Sequence, residues 1–187
     1  DFFHNAQAII SDPNFDTLHF YLLGLLYENA AVFNESTPEQ KAAFDDLKSQ
    51  GMTKLVLDIR GNLGGLLNEA VEITNFFVPK NEVVVTTKAK VKKWSDTYKT
   101  KREPIDLEIP IAVLIDRYSA SASEIVAGSL QDLDRAVIIG ERSFGKGLVQ
   151  RYRKLTYGTQ LKLTISKYYT PSGRCIQELD CTHKNKN

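Results

Sequence analysis

The feature that most constrains the fold of this chain is an apolar run that leads through a turn of small residues into a helix. Residues 111–115 (IAVLI) are continuously apolar, which is typical of a buried strand. Serine and alanine alternate over 119–123, and the spacing of Ile125, Val126 and Leu130 then predicts a helix with one buried side. A serine in such a turn can present its hydroxyl beside the free N–H groups of the helix N-terminus. The sequence therefore places a candidate nucleophile here.

The same alternation of strands and helices recurs along the chain and indicates an α/β domain. Predicted strands cover residues 55–59, 111–115, 136–139, 148–155 and 159–169, and residues 82–100 fit a strand pair or a strand with a basic extension. One predicted helix begins after an N-cap at Thr37, and another runs from about Leu66 to Phe77. In the last strand, Leu161, Leu163 and Ile165 are expected to face inward.

A lysine could serve as the base for this serine. A hydroxyl is a poor nucleophile until a base takes its proton, and the three histidines all lie near the termini. Lys146 stands between Gly145 and Gly147, and these glycines would let the backbone pack closely enough to bury the amine and lower its pKa. The alternative is that the serines only cap a helix and that Lys146 is a solvated turn residue.

Four sequence blocks together resemble the carboxyl-terminal processing peptidases, also called tail-specific proteases, which are serine peptidases with a Ser–Lys pair. The blocks are LDIRGNLGG (57–65), SASASE (119–124), GERSFGKGLVQ (140–150) and KYYTPSGR (167–174). Their order agrees with the family, as does the separation of 25 positions between Ser121 and Lys146. The resemblance extends over roughly residues 40 to 180.

The resemblance implies a fold, a reaction and a set of site residues. The fold is an α/β, ClpP/crotonase-like core of layered ββα units. The reaction is hydrolysis of polypeptides near their C-termini through an acyl-enzyme intermediate, with no cofactor or metal. Ser121 would be the nucleophile, Lys146 the general base, and Gln150 the residue that holds the amine. These roles are predictions, and the structure shows where each of these residues lies.

The glycine-rich turn at 60–65 allows two interpretations. It is either a plain strand-to-helix connection or, as the resemblance implies, one wall of an oxyanion hole. In the second case a backbone N–H of Gly64 or Gly65 would face the N–H of Ala122. The turn lacks the G-x-x-x-x-G-K-[ST] pattern of a phosphate cradle. Leu63 stands where the family often has proline, and this change removes no donor.

We expect three parts: an N-terminal segment of unclear structure (1–35), a peptidase core (36–180) and a polar tail (181–187). Family members carry a PDZ domain before the core, and the residues before Leu55 are too few to include one, so it is apparently absent. The chain begins with Asp1, which indicates a processed or excised piece. Two alternatives to an active peptidase follow: a non-catalytic binding module on this fold, like the retinoid-binding proteins of the retina, and a core that is inert without its PDZ domain.

Composition restricts the partners. A formal net charge of +1 gives no electrostatic reason to expect nucleic acid or an anionic membrane, and no apolar run is long enough for a membrane span. A polypeptide substrate is the expected partner, the oligomeric state is undetermined, and an extracytoplasmic location (periplasmic or secreted) follows from the resemblance only.

Two further groups of residues each allow two interpretations. Cys175 and Cys181 are either joined in a small disulfide loop or two unrelated thiols. Lysines at 88, 90, 92 and 93 form a positive patch, which is either a solvated strand face or a site that attracts the substrate's terminal carboxylate.

Overall fold

The computed structural model describes residues 38–178, with side chains from residue 44 onward. The helices are α1 (Pro38–Ser49), α2 (Leu67–Asn75) and α3 (Ala122–Asp132). The strands are β1 (Leu55–Asp58), β2 (Val83–Ala89), β3 (Asp96–Lys99), β4 (Ile111–Ile115), β5 (Val137–Gly140), β6 (Leu148–Lys154) and β7 (Gln160–Tyr169). The α/β class is confirmed, and the predicted strands agree with the observed ones to within a residue at either end. The predicted segments at 1–35 and 181–187 lie outside the described residues.

A three-stranded parallel sheet in the order β1–β4–β5 forms the centre of the domain. In its register Leu57 of β1 is paired with Val113 of β4. Because the strands run in the same direction, their carboxyl ends lie at one edge, where functional turns of parallel sheets usually gather. The N–H of Gly61, after β1, donates to Asp116 Oδ1, after β4, at 2.9 Å. The two turns predicted to carry function therefore lie side by side.

Helices α2 and α3 bury their apolar sides in one core with the parallel sheet. Its most completely buried large side chains include those of Phe44, Leu55, Ile59, Phe77, Ile125 and Leu130. Between the two helices the buried hydroxyls of Thr74 and Ser129 lie 3.3 Å apart, within hydrogen-bonding distance. Because the core fixes α2 against α3, it also fixes the turns at the N-terminal ends of both helices.

A second, antiparallel sheet has the order β3–β2–β7–β6. Strand β2 pairs with β7 only along the last part of β7, residues 166–169. The first part of β7 therefore pairs with β6 alone. Leu161 and Leu163 are 42% and 39% exposed, whereas Ile165 is half-buried, so the prediction that these residues face inward is wrong for the two leucines. The reason is that alternation puts them on one face of the hairpin, and nothing within residues 38–178 covers that face.

Two further predictions are settled in part by the described residues. Cys175 is a free, exposed thiol, which does not support a disulfide loop, and Cys181 lies outside the described residues. Between residues 38 and 178 no helix has the length and apolar character needed to cross a bilayer.

Candidate active site

Ser121 lies in the turn between β4 and α3, directly before the first helical residue. Its backbone has φ 57° and ψ −115°, a conformation that is rare for residues other than glycine. The residue is half-buried, and its N–H donates to Glu124 Oε2 at 2.8 Å. The serine that the sequence predicts as nucleophile thus occupies a sharp turn at a helix N-terminus, where the helix dipole favours developing negative charge.

The two neighbouring serines of the alternating run have structural roles. Ser119 is fully buried, and its hydroxyl donates to the carbonyl oxygen of Ile59 at 2.8 Å. Ser123 is also buried, and its hydroxyl donates to Asn62 Oδ1 at 2.8 Å. Both bonds connect the serine turn to the turn after β1. Of the three serines, only Ser121 is partly exposed to solvent.

Asp116 holds the serine turn in shape from the end of β4. Its Oδ1 accepts hydrogen bonds from the backbone N–H groups of Gly61 at 2.9 Å and of Tyr118 and Ser119 at 3.0 Å each. The pKa of the Asp116 carboxyl is lowered, chiefly by the hydrogen bond from Gly61. The ionised carboxylate therefore stabilises the contact between the two turns.

Gly64 is the point of closest approach between the glycine turn and the serine turn. It has φ 86°, and an added Cβ would lie 2.4 Å from the Ala120 oxygen and 2.7 Å from the Ala122 nitrogen. Its own N–H already donates to Asn62 Oδ1 at 2.8 Å. Within residues 38–178 no hydrogen bond is formed by the N–H of Gly65, so of the two predicted donors only that of Gly65 is left to bind another acceptor.

We expect Gly64→Ala to destabilise the fold by about 1–3 kcal/mol, because alanine is strained at positive φ and its Cβ has no space. Gly65→Ala is the matched control, since a Cβ at Gly65 would meet nothing within 4 Å. Urea unfolding of both variants measures the difference. Equal unfolding free energies for the two variants would contradict the tight contact between the turns.

A small apolar cavity borders the same two turns on the side of α2. It is lined by Gly64, Leu66, Ile73, Ala122 and Val126, among others. Leu66 is 45% exposed at the mouth of this cavity, whereas Ile73 and Val126 are buried. The enclosed space is only about 10 Å³, close to what a single water needs, so the cavity is apolar but almost filled.

The loop that carries Lys146 is tied to the serine turn by the carboxylate of Glu124. Oε2 accepts from the N–H of Lys146 at 2.8 Å, as it does from Ser121. Oε1 accepts from the N–H of Gly145 at 2.6 Å and from the hydroxyl of Ser143 at 2.8 Å. The backbone nitrogens of Ser121 and Lys146 each lie 2.8 Å from this one oxygen, Oε2, so the two nitrogens are close to each other. Glu124 is 6% exposed, so these bonds are shielded from water.

The glycines around Lys146 allow close packing, but not of the lysine side chain. Added Cβ atoms at Gly145 and Gly147 would lie 2.4 Å from Glu178 Cβ and 2.3 Å from the Gln177 nitrogen. Lys146 itself is exposed, so the predicted burial of its amine is wrong for this structure. The physical reason is that the glycines bring the loop backbone, and not the amine, against the chain at 177–178.

Gln150 lies in β6, where it is exposed and paired with Thr164 across a strand irregularity at Val149. In the part of the chain that the structure describes, no hydrogen bond joins the side chains of Lys146, Gln150 and Ser121. The structure thus brings the backbones of the predicted serine and lysine together without a formed side-chain contact.

Three residues of this site were not predicted from the sequence: Asn62, Asp116 and Glu124. The signal for Glu124 was present, because Ser-x-x-Glu at the start of a helix is the capping-box pattern. That pattern predicts the bond to Ser121 but not those to residues 143–146. Asp116 and Asn62 stand at strand ends beside small residues, and only the parallel pairing of β1 with β4 shows that the turns to which they belong lie side by side.

Comparison with known proteins identifies the family. Residues 25–183, most of the chain, match peptidase family S41. The chain belongs to peptidase family S41. The resemblance to carboxyl-terminal processing peptidases is therefore confirmed.

Named relatives of this S41 chain are processing proteases. It is 47% identical to a carboxy-terminal-processing protease of Bartonella bacilliformis over 83% of this chain and 37% of the relative. It is 38% identical to a chloroplastic C-terminal processing peptidase of Tetradesmus obliquus over 82% of this chain and 33% of the relative. A solved photosystem II D1 C-terminal processing protease matches with a TM-score of 0.67 and 39% identity, covering 73% of this chain and 35% of the other. The S41 chain thus spans about a third of the length of these relatives.

Proposed function

We propose that this chain is the catalytic core of a serine-type endopeptidase that cleaves polypeptides near their C-termini through a Ser121–Lys146 pair. The observation that carries the proposal is the shared carboxylate oxygen of Glu124, which accepts from the N–H of Ser121 and from the N–H of Lys146. Two residues 25 positions apart in the sequence are thereby brought to one place, with the serine in a strained turn.

In the proposed reaction Lys146, in its neutral form, takes the proton of Ser121 as the serine oxygen attacks the substrate carbonyl. The C–N bond then breaks, and the protonated lysine gives its proton to the leaving amine. Water releases the acyl group from Ser121 by the same steps in reverse, with Lys146 again as base. Gln150 would orient the amine. A positioned general base contributes about 10²–10⁴ in rate.

The oxyanion of the tetrahedral intermediate would lie between the N–H of Ala122, at the start of α3, and the N–H of Gly65. Gly64 supports this arrangement because it lies against Ala120 and Ala122 with no space for a side chain. Each such donor is worth roughly 10²–10³ in rate. The apolar cavity beside Gly64 and Ala122 marks the side on which the residue that precedes the cleaved bond would lie.

The exposure of Lys146 specifies one further requirement, because within residues 38–178 no hydrogen bond joins its side chain to that of Ser121. A polypeptide lying across the serine turn would exclude water and hold the lysine side chain against Ser121. The same exposure supports a second candidate, a core that is inert until another part of a longer protein covers the lysine. For either candidate we propose a polypeptide partner and an extracytoplasmic location, both of which follow from the resemblance to the family.

A fluorophosphonate label tests the proposal. We expect the wild-type chain to be labelled at Ser121, located by mass spectrometry, with Ser119 and Ser123 in the same peptide unlabelled because their hydroxyls are buried. Ser123→Ala, whose Ser121 is intact, is the control and should still be labelled. Labelling together with hydrolysis of an unfolded polypeptide supports the active core. The absence of both labelling and hydrolysis supports the inert core, and hydrolysis by Ser121→Ala at the wild-type rate contradicts the proposal.

A further inference from the structure

A second concave site, separate from the apolar cavity, lies beside the lysine loop. This cleft has a volume of about 420 Å³ and is lined mainly by Arg117, Arg142, Phe144, Gly145, Gln177 and Glu178. Arg117 follows β4, in the segment that leads to Ser121, whereas Arg142 and Phe144 belong to the loop that leads to Lys146. The cleft is therefore built from both segments that carry the proposed catalytic residues.

Hydrogen bonds fix this cleft next to the serine turn. The N–H of Phe144 donates to the Ser119 oxygen at 3.0 Å, two residues before Ser121. The next residue, Gly145, donates to Glu124, which also accepts from the N–H of Ser121. The cleft thus adjoins the lysine side of Ser121, and the apolar cavity adjoins its glycine-turn side.

The proposed reaction gives these two sides different parts of the substrate. Lys146 donates its proton to the leaving amine, and this nitrogen belongs to the residue that follows the cleaved bond. The substrate must therefore run toward the lysine loop on the C-terminal side of that bond, and toward the apolar cavity on the other side. A chain that continues past Lys146 in this direction enters the cleft.

The charges and side chains of the cleft suit the end of a polypeptide. Arg117 is exposed, and its contact within residues 38–178 is with the ring of Tyr118, 5.2 Å from the ring centroid, with no acidic partner in this part of the chain. Arg142 is 3.5 Å from Glu178 and 81% exposed. Phe144 and Tyr118 are 54% and 51% exposed, so two aromatic rings are accessible near the two guanidinium groups. Guanidinium groups bind carboxylates through paired, charge-assisted hydrogen bonds.

We propose that the cleft between Arg117 and Phe144 binds the carboxyl terminus of the substrate, with Arg117 and Arg142 as the groups that hold its terminal carboxylate. This inference rests on the proposed peptidase function and names the substrate end that the core itself recognises. The lysine patch at 88–93 is less suitable, because it begins at the end of β2 in the other sheet and Lys88 already lies 4.4 Å from the Tyr169 ring centroid. The core would then favour cleavage a few residues from a free C-terminus.

Paired peptides of one sequence, ending in a free carboxylate or in an amide, test this site. We expect wild-type kcat/KM to be higher for the free acid by about tenfold, as loss of a charge-assisted hydrogen bond predicts. Arg117→Gln combined with Arg142→Gln should reduce this preference to about one, through a higher KM for the free acid. Arg153→Gln, at an exposed position of β6, is the matched control and should keep the preference. Glu178→Gln should increase it, because a carboxylate that competes for Arg142 is removed.

Two outcomes would overturn this inference: equal cleavage of acid and amide by the wild-type chain, or an unchanged preference in the double variant. Binding of the same two peptides to Ser121→Ala, followed by fluorescence anisotropy, separates this failure from failure of the proposed function. If binding favours the free acid, and if this preference disappears when the two arginines are also replaced, the site is supported even where no turnover is seen. Binding without such a preference contradicts it.

Discussion

Replacing Lys146 with methionine is expected to lower kcat/KM for peptide hydrolysis by about 10²–10⁴, the contribution of a general base, with no measurable change in the free energy of unfolding. Methionine lacks the amine but keeps a long unbranched side chain. The side chain of Lys146 is exposed, and the hydrogen bond of this residue to Glu124 comes from its backbone N–H, which every substitution except proline retains. Hydrolysis of an unfolded polypeptide and urea unfolding of the same samples measure the two quantities.

Lys154→Met provides the matched control, because Lys154 is another exposed lysine, in β6. This variant should hydrolyse the substrate at the wild-type rate. If Lys146→Met also cleaves at the wild-type rate, another group takes the serine proton, and the Ser–Lys assignment fails. If its unfolding free energy falls substantially, the lysine side chain has a structural role that its exposure does not indicate.

Glu124→Gln is expected to affect both stability and catalysis. The carboxylate accepts four hydrogen bonds, two at each oxygen, whereas a glutamine amide has one oxygen and presents an NH₂ group to the other pair of donors. Each buried N–H left without an acceptor costs about 1–3 kcal/mol. Because the bonds of Oε2 align Ser121 with Lys146, we also expect a roughly 10²-fold fall in kcat/KM, as for a misplaced catalytic group. Urea unfolding and hydrolysis assays test both expectations.

Ser143→Ala is the control for Glu124, since it removes one of the four donors and leaves both oxygens in place. It should cost about 1 kcal/mol of stability, as for a single hydrogen bond, and leave hydrolysis close to wild type. Wild-type kcat/KM in Glu124→Gln would show that the shared carboxylate does not position the pair. A fall in both variants by the same factor would point to the loop as a whole.

The fold was predictable from the sequence where local patterns decide it. The apolar run of β4, the small residues after it and the apolar spacing in α3 each indicate the same strand, turn and helix, and the structure has them there. The adjacency of the turns after β1 and β4 follows from parallel pairing, because carboxyl ends of parallel strands meet at one edge. The N-terminal positions of α2 and α3 beside the site follow in turn.

The rest depended on contacts between segments that are distant in sequence. Glu124 has the pattern of an ordinary helix cap, and nothing near it in the sequence indicates that it also binds residues 143–146. The glycines around Lys146 correctly predict close packing, but their neighbours at 177–178 could not be known. Alternation in β7 places Leu161 and Leu163 on one face and says nothing about whether that face is covered. Sequence patterns thus indicate which residues share one side of a strand or helix. Whether that side is buried depends on the elements that pack against it.

The positive φ of Ser121 has a thermodynamic consequence for the whole domain. A non-glycine residue in this region of backbone space costs of order 1–3 kcal/mol, a sizeable fraction of the 5–15 kcal/mol that separates a typical folded domain from its unfolded state. The bonds made by Asp116, Asn62 and Glu124 compensate for this cost and keep the turn from relaxing. In this domain the residue assigned to the chemistry is therefore a local energetic weakness, and its geometry persists only as long as its surroundings remain folded.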